Sequence, residues 1–347
     1  MSYKQMTGNI ISATKVEPNG PFENSVASGV WSLQEQYDYR RGNNWPETGS
    51  AAPLGIFMIN NGKLDKMNLA SAGDSTDFGD PSAFNSFGEA MAVASTTRVV
   101  STRGDSPETD TIEYWAVATG GDGTDFGNLS VVRNAGAGAN GATRGLFIGG
   151  YGSSSDGDNY INVVDYITIG TTGNTTDFGD LSAIRIRSGG GNSNTRVLSL
   201  GGQGGGKNSP AASNIIEYFT ITSTGNATDF GDLTIAKGAG GSGHSNRTIA
   251  VHGGGVVSGG NTNVIDFVTI ASTGNAQDFG DLSVAREGPF AGVASTVSCF
   301  FANSGFTTKD VQKITFATTG NSQDFGDIED LGTTKMGTSN AHGGVAA

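Results

Sequence analysis

The side chains equipped for catalysis or metal binding are few. There are three histidines, His244, His252 and His342, and one cysteine, Cys299. One cysteine excludes an intrachain disulfide, and a thiolate zinc site needs more. Cys299 lies in the apolar stretch Val297-Ser298-Cys299-Phe300-Phe301 and is expected to be a buried core thiol. So few histidines offer no Ser-His-Asp order. Carboxylates are plentiful, but pairs such as Asp177/Asp180 and Asp229/Asp232 recur at regular intervals. Side chains that recur in this way usually build a fold, and these are expected to accept backbone N–H bonds in turns. A calcium loop is the other use of oxygen-rich turns, yet the spacing matches no EF-hand. Arg103-Gly104-Asp105-Ser106-Pro107 matches an integrin-binding tripeptide in an expected loop, and three residues without context carry no function. The sequence thus assigns no catalytic residue, no metal ligand and no cofactor.

The elements that position these residues are repeats. Gly-(Asn/Asp)-x-x-Asp-Phe-Gly occurs six times, with phenylalanines at Phe78, Phe126, Phe178, Phe230, Phe279 and Phe325 and intervals of 48, 52, 52, 49 and 46 residues. Twelve residues before each lies Lys66, Tyr114, Tyr166, Tyr218, Phe267 or Lys313, mostly within β-branched and aromatic runs such as Glu217-Tyr218-Phe219-Thr220-Ile221. Such runs read as strands. The Gly-Asn turns between them and Asp-Phe-Gly suit hairpins, so the constant offset predicts six hairpins of one register. Upstream, four repeats carry Arg98, Arg144, Arg196 and Arg247 before apolar residues, and three of these runs lead to Gly149-Gly150, Gly201-Gly202 and Gly253-Gly254. Small-residue segments, Asn134–Ala139 and Gly238–Gly243, recur before the arginines and predict an innermost strand crowded around an axis.

Four strands per unit of about 50 residues predict an all-β chain, a six-bladed β-propeller over residues 51–347. The first unit lacks its small-residue strand, and the stretch after Phe325 is long enough to supply one but too short for another blade. The C-terminal strand, residues 333–341, is therefore expected to complete the first blade. Residues 1–50 carry no repeat and form a separate N-terminal segment, with a short helix expected over Ser25–Gly42. Trp31, Tyr37, Tyr39 and Trp45 crowd this segment, and aromatics of this kind often anchor interfaces. They are the candidate interface residues.

Charge and hydropathy narrow the partners. Lys+Arg 20 against Asp+Glu 33 gives a net charge of −13. A phosphate backbone is repelled on average, so nucleic acid is not expected as a partner. No apolar run is long enough to insert in a membrane as a helix, and the N-terminus does not read as a secretory signal. The loops after Gly-Gly vary in length and content. Variable loops on a rigid scaffold commonly carry binding. Tyr151, Asp156, Asp158 and Tyr160 form the candidate binding loop, since aromatic faces and carboxylates together suit sugars.

The Arg–apolar–Gly-Gly–Tyr pattern resembles the kelch/galactose-oxidase superfamily of propellers, with Phe in Asp-Phe-Gly where Trp is common there. Galactose oxidase chemistry uses copper held by His and Tyr beside a Tyr–Cys thioether, a set this chain is poorly supplied to build. Ser28-Gly29-Val30-Trp31-Ser32-Leu33-Gln34-Glu35-Gln36-Tyr37 with Asn44-Trp45-Pro46, and the repeat Tyr-x-Thr-Ile-x-x-Thr-Gly-Asn-x-x-Asp-Phe-Gly-Asp-Leu, are similar to segments of structural proteins from marine and cyanobacterial tailed phages. That resemblance implies a non-enzymatic virion component, associated with tail or fibre and assembled in the host cytoplasm. Its expected partners are other virion proteins and copies of itself, with a host-surface glycan as a further candidate. The alternatives are a kelch-type propeller enzyme and a carbohydrate-binding module.

Overall fold

The computed structural model describes residues 53–59, 62–82, 89–103, 109–152, 159–206, 208–238, 242–286, 291–302, 309–329 and 334–345, with Ser32, Gln34 and Glu35. The chain divides into two units, Met1–Ala51 and Ala52–Ala347. In the first, Gln34 and Glu35 are helical. Glu35 N donates to Ser32 Oγ at 3.2 Å while Ser32 N donates to Glu35 Oε2 at 2.9 Å, a reciprocal N-terminal cap. The rest of the helix expected over Ser25–Gly42 lies outside the described residues.

The second unit is a six-bladed β-propeller of antiparallel sheets. From inside outward, the second blade runs Ala92–Ala94, Arg98–Thr102, Thr111–Ala116 and Thr124–Asn128. The third is Ala137–Asn140, Arg144–Gly152, Tyr160–Thr168 and Thr176–Asp180, and the fourth Gly189–Asn192, Arg196–Leu200, Ala211–Thr220 and Thr228–Lys237. The fifth is Ser242–Ser245, Ile249–Gly253, Gly260–Thr269 and Gln277–Arg286, and the sixth Ala291–Ala294, Ser298–Ala302, Asp310–Thr315 and Gln323–Asp327. In the first blade Leu54–Ile59, Lys63–Asn68 and Thr76–Gly79 are joined on the inside by Thr334–Ser339 from the other end of the chain. This closure covers the inner edge of Leu54–Ile59, which would otherwise be open to association.

The inner strands touch in a closed cycle from blade to blade. Small residues let them do so: a Cβ on Gly138 would lie 2.1 Å from Ala92 O. The small-residue stretches start before their strands: in the third and fifth blades the inner strand begins at Ala137 and Ser242, later than Asn134 and Gly238, and runs on to Asn140 and Ser245. Core residues fill the gaps between blades, with the Asp-Phe-Gly phenylalanines all buried. The twelve-residue offset places Tyr166 edge-on to Phe178 at 5.8 Å and Tyr218 to Phe230 at 6.1 Å.

The Asp-Phe-Gly repeat latches each outer strand to the next blade. Gly173 N donates to Phe126 O at 2.7 Å, Thr175 N to Asn128 O at 2.9 Å, and Asn128 N to Asn174 Oδ1 at 3.1 Å. The same set joins the third blade to the fourth through Gly225, Ala227 and Asn226. Asp327 N to Asp74 Oδ1 at 3.1 Å and Ser75 N to Asp327 O at 2.8 Å close the cycle from sixth blade to first. The glycine of the motif is required by this approach. Gly179 has φ +148, and a Cβ there would sit 2.3 Å from Gly225 O.

Candidate functional site

Register decides which arginines are equivalent. Arg98, Arg144 and Arg196 lie 4.6, 4.8 and 4.5 Å from the ring centres of Tyr114, Tyr166 and Tyr218. Each also donates to a carbonyl of the next blade, Ile169, Ile221 and Ile270. Arg247 does not join them. Ile249 faces Thr269, the position that Arg144 holds against Thr168, and Arg247 is exposed two residues earlier. The glycine pair shifts likewise: Gly254 (φ +69) and Gly255 (φ +113) match Gly149 (φ +59) and Gly150 (φ +127), where the sequence pattern pointed to Gly253-Gly254. An added residue in the fifth blade mimics the motif one place early.

A second repeated constellation escaped the sequence reading. The residue before each Tyr position is Asp65, Glu113, Asp165, Glu217, Asp266 or Gln312, and all are buried. Asp165 accepts from Ser130 Oγ at 2.6 Å and lies 3.0 Å from Arg133 Nη2. Glu217 accepts from Ser182 N at 3.0 Å and lies 3.1 Å from Arg185 Nη2. Asp266 bonds Thr234 Oγ1 and lies 2.8 Å from Lys237 Nζ. In the sixth blade the neutral amide of Gln312 takes the acid's place and accepts from Ser283 N, and Arg286 turns instead to Asp310 at 3.0 Å. The cations come from the crossing between blades, three residues after the Ser or Thr. They bond carbonyls near the glycine pairs: Arg133 Nη2 reaches Phe147 O at 3.2 Å and Lys237 Nζ reaches Val264 O at 2.8 Å. Burial lowers the affinity of Arg133, Arg185 and Lys237 for their protons, and the facing carboxylates oppose that shift. The signal available in sequence was Leu-Ser/Thr-x-x-Arg/Lys after four of the Asp-Phe-Gly copies.

The remaining reactive side chains are also enclosed. Cys299 is fully buried, and desolvation raises its thiol pKa. His252 is fully buried, and desolvation, reinforced by nearby Lys237, holds it neutral. His342 belongs to the tail that follows the closing strand. Its Nδ1 lies 2.8 Å from Asn192 Nδ2 and 3.1 Å from Gly344 N. Gly343 N donates to Ser245 O at 3.0 Å, and a Cβ on Gly344 would meet Asn140 O. The tail therefore sits against the far ends of three inner strands and occupies one mouth of the ring. Desolvation lowers the His342 pKa to about 4. Among the described residues no group of three or more His, Cys, Asp and Glu is placed to hold a metal ion.

The other mouth carries the loops after the glycine pairs. Tyr151 and Tyr160 meet edge-on there, with ring centres 6.1 Å apart, and Asn159 Nδ2 donates to Tyr151 Oη at 2.8 Å. Tyr160 is buried on Ala135 and Ile186, with Tyr151 partly exposed beside it. Asp156 and Asp158, expected in the same loop, lie outside the described residues, as do Trp31, Tyr37, Tyr39 and Trp45. Glu89 and Arg187 are ion-paired across this mouth, from the approach to the second blade to the approach to the fourth.

Comparison with solved structures agrees on the architecture. The structure of YjhT shares this fold. It aligns with a TM-score of 0.56 and 13% identity, over 73% of this chain and 87% of that one. At that identity the likeness speaks for the propeller fold alone. No protein-family model matches the chain, and no curated protein matches it.

Proposed function

We propose that this chain is a non-enzymatic structural protein of a tailed bacteriophage particle, associated with the tail or fibre, which displays its propeller for attachment to proteins or to the host surface. The observation that carries this reading is the use of the polar repeat: the residues best suited to chemistry are consumed in holding blade to blade. Buried Asp165, Glu217 and Asp266 face Arg133, Arg185 and Lys237, and Cys299 and His252 are enclosed in the core. The similarity of the 28–46 segment and of the repeat to phage structural proteins supports the virion assignment, and the Arg–Tyr stacks support the kelch-like description. In this reading residues 1–50 dock on neighbouring virion proteins or on copies of the chain, and the variable loops face outward.

Mass spectrometry of purified particles tests it. The chain should be present at fixed, stoichiometric copy number. Trp31→Ala should lower incorporation and leave the propeller folded by circular dichroism. Bound copper, or turnover in a glycan-substrate screen, would move the assignment to a propeller enzyme.

A further inference from the structure

We propose that the ring mouth opposite the C-terminal tail is a binding site for a neutral saccharide, formed by Tyr151, Glu89 and Arg187 over the second, third and fourth blades. The inference rests on the host-surface attachment reading above and names the ligand class that attachment would use.

Strain, charge and an aromatic face converge at this one place. Ala135 (φ +57), Asn159 (φ +53) and Arg187 (φ +54) are the non-glycine residues with positive φ among the described residues. Side chains are disfavoured in that conformation, and such strain concentrates at functional sites. Ala135 belongs to, and Asn159 and Arg187 directly adjoin in sequence, a single apolar cluster of Ala135, Tyr160 and Ile186, on which Tyr151 packs. Backbone bonds join them in series: Ala135 N donates to Glu89 O and Arg187 N to Ala135 O, both at 2.6 Å. This series sets the Arg187 guanidinium against the Glu89 carboxylate, with Nε 2.6 Å from Oε2. The two side chains remain 30% and 21% exposed, so the pair reaches the surface of the mouth. Glycine would relieve the strain at Arg187, and the chain places a guanidinium there instead.

The chemistry points to a polyol. A guanidinium and a carboxylate side by side offer a fixed row of donors and acceptors that matches adjacent hydroxyls. The partly exposed face of Tyr151 suits the C–H face of a sugar ring. Because Glu89 already neutralises Arg187, an anionic ligand would have to displace it, against a net charge of −13. A neutral sugar carries neither cost.

The test is titration calorimetry on the full chain with neutral hexoses, N-acetylhexosamines and their oligomers, and with glucuronate as an anionic arm. Saturable binding of a neutral sugar is expected. Glu89→Gln, Tyr151→Ala and Arg187→Gly should each weaken it at least about tenfold, the loss expected for one charged hydrogen bond or stacking contact. Arg187→Gly should keep the melting temperature, because strain relief offsets the lost ion pair. If Arg187→Gly does not fold, the other two variants decide. No neutral sugar bound at millimolar concentration, binding of glucuronate only, or binding unchanged in the variants would overturn the proposal. Failure here leaves the particle assay unaffected, so a structural protein that attaches by other means is distinguished from one that is not in the particle at all.

Discussion

Arg133 Nη2 lies 3.0 Å from Asp165 Oδ2, and both side chains are wholly buried where the second blade crosses to the third. Equivalent pairs occupy the next two crossings, and the sixth blade replaces its acid with Gln312. Two charges removed from water are costly unless each keeps its partner. Asp165→Ala should therefore destabilise the propeller by about 3–5 kcal/mol in urea unfolding, by stranding Arg133. Arg133→Met with Asp165→Leu should cost clearly less than Asp165→Ala alone. Equal losses would show that packing, and not the stranded charge, dominates.

Ring closure depends on the two ends of the propeller meeting. Met58 pairs with Met336 and Phe57 with Gly337 in the first blade. A chain ending at Leu331 would leave the Leu54–Ile59 edge unpaired and the inner strand of the sixth blade, Ala291–Ala294, without the strand beside it. The expected product is aggregation-prone and lacks a cooperative transition. Light scattering and calorimetry read both, and a monomer with an unchanged melting profile would contradict the closure.

The latch glycines are separable from ordinary turn glycines. Gly179→Ala adds a Cβ 2.3 Å from Gly225 O at φ +148, whereas Gly170→Ala meets nothing within 4 Å. The first should cost about 2 kcal/mol or more through strain and a lost blade contact, and the second should fall within about 0.5 kcal/mol of the parent. Thermal unfolding of the two single variants compares them directly.

His342 makes stability depend on pH in a defined window. Burial holds its folded pKa at about 4 against the ordinary 6.5, and protonated Nδ1 would face the Asn192 amide and Gly344 N–H, both able to donate. Between pH 4 and 6.5 the unfolded chain therefore binds the extra proton. Stability is full above about 6.5 and falls as pH drops toward 4, by about 3 kcal/mol from this residue. His244, lowered by desolvation and by His342 itself, acts in the same direction. His342→Gln should flatten the slope of unfolding free energy between pH 6.5 and 4.

The number of blades, their hairpin register and the strand that closes the ring were legible in the sequence, because each blade repeats the same local solution. Asp-Phe-Gly recurs since an outer strand must meet the next turn closely, and the missing inner strand of the first blade had one available donor, the segment around Met336. What could not be read locally was pairing between distant strands. Arg133 and Asp165 lie 32 positions apart, on strands either side of Arg144–Gly152 in one sheet, so neither announces the other until that sheet assembles. The fifth blade shows the same limit: Arg247 matches the motif by residue type and Gly253-Gly254 by spacing, yet hydrogen-bond register gives those places to Ile249 and Gly254-Gly255. In sequence, Tyr151 and Tyr160 flank one loop. Stacking of the second, third and fourth blades is what carries Glu89 and Arg187 to the same mouth, from positions 98 residues apart, because a closed ring brings every inner-strand approach to one axis.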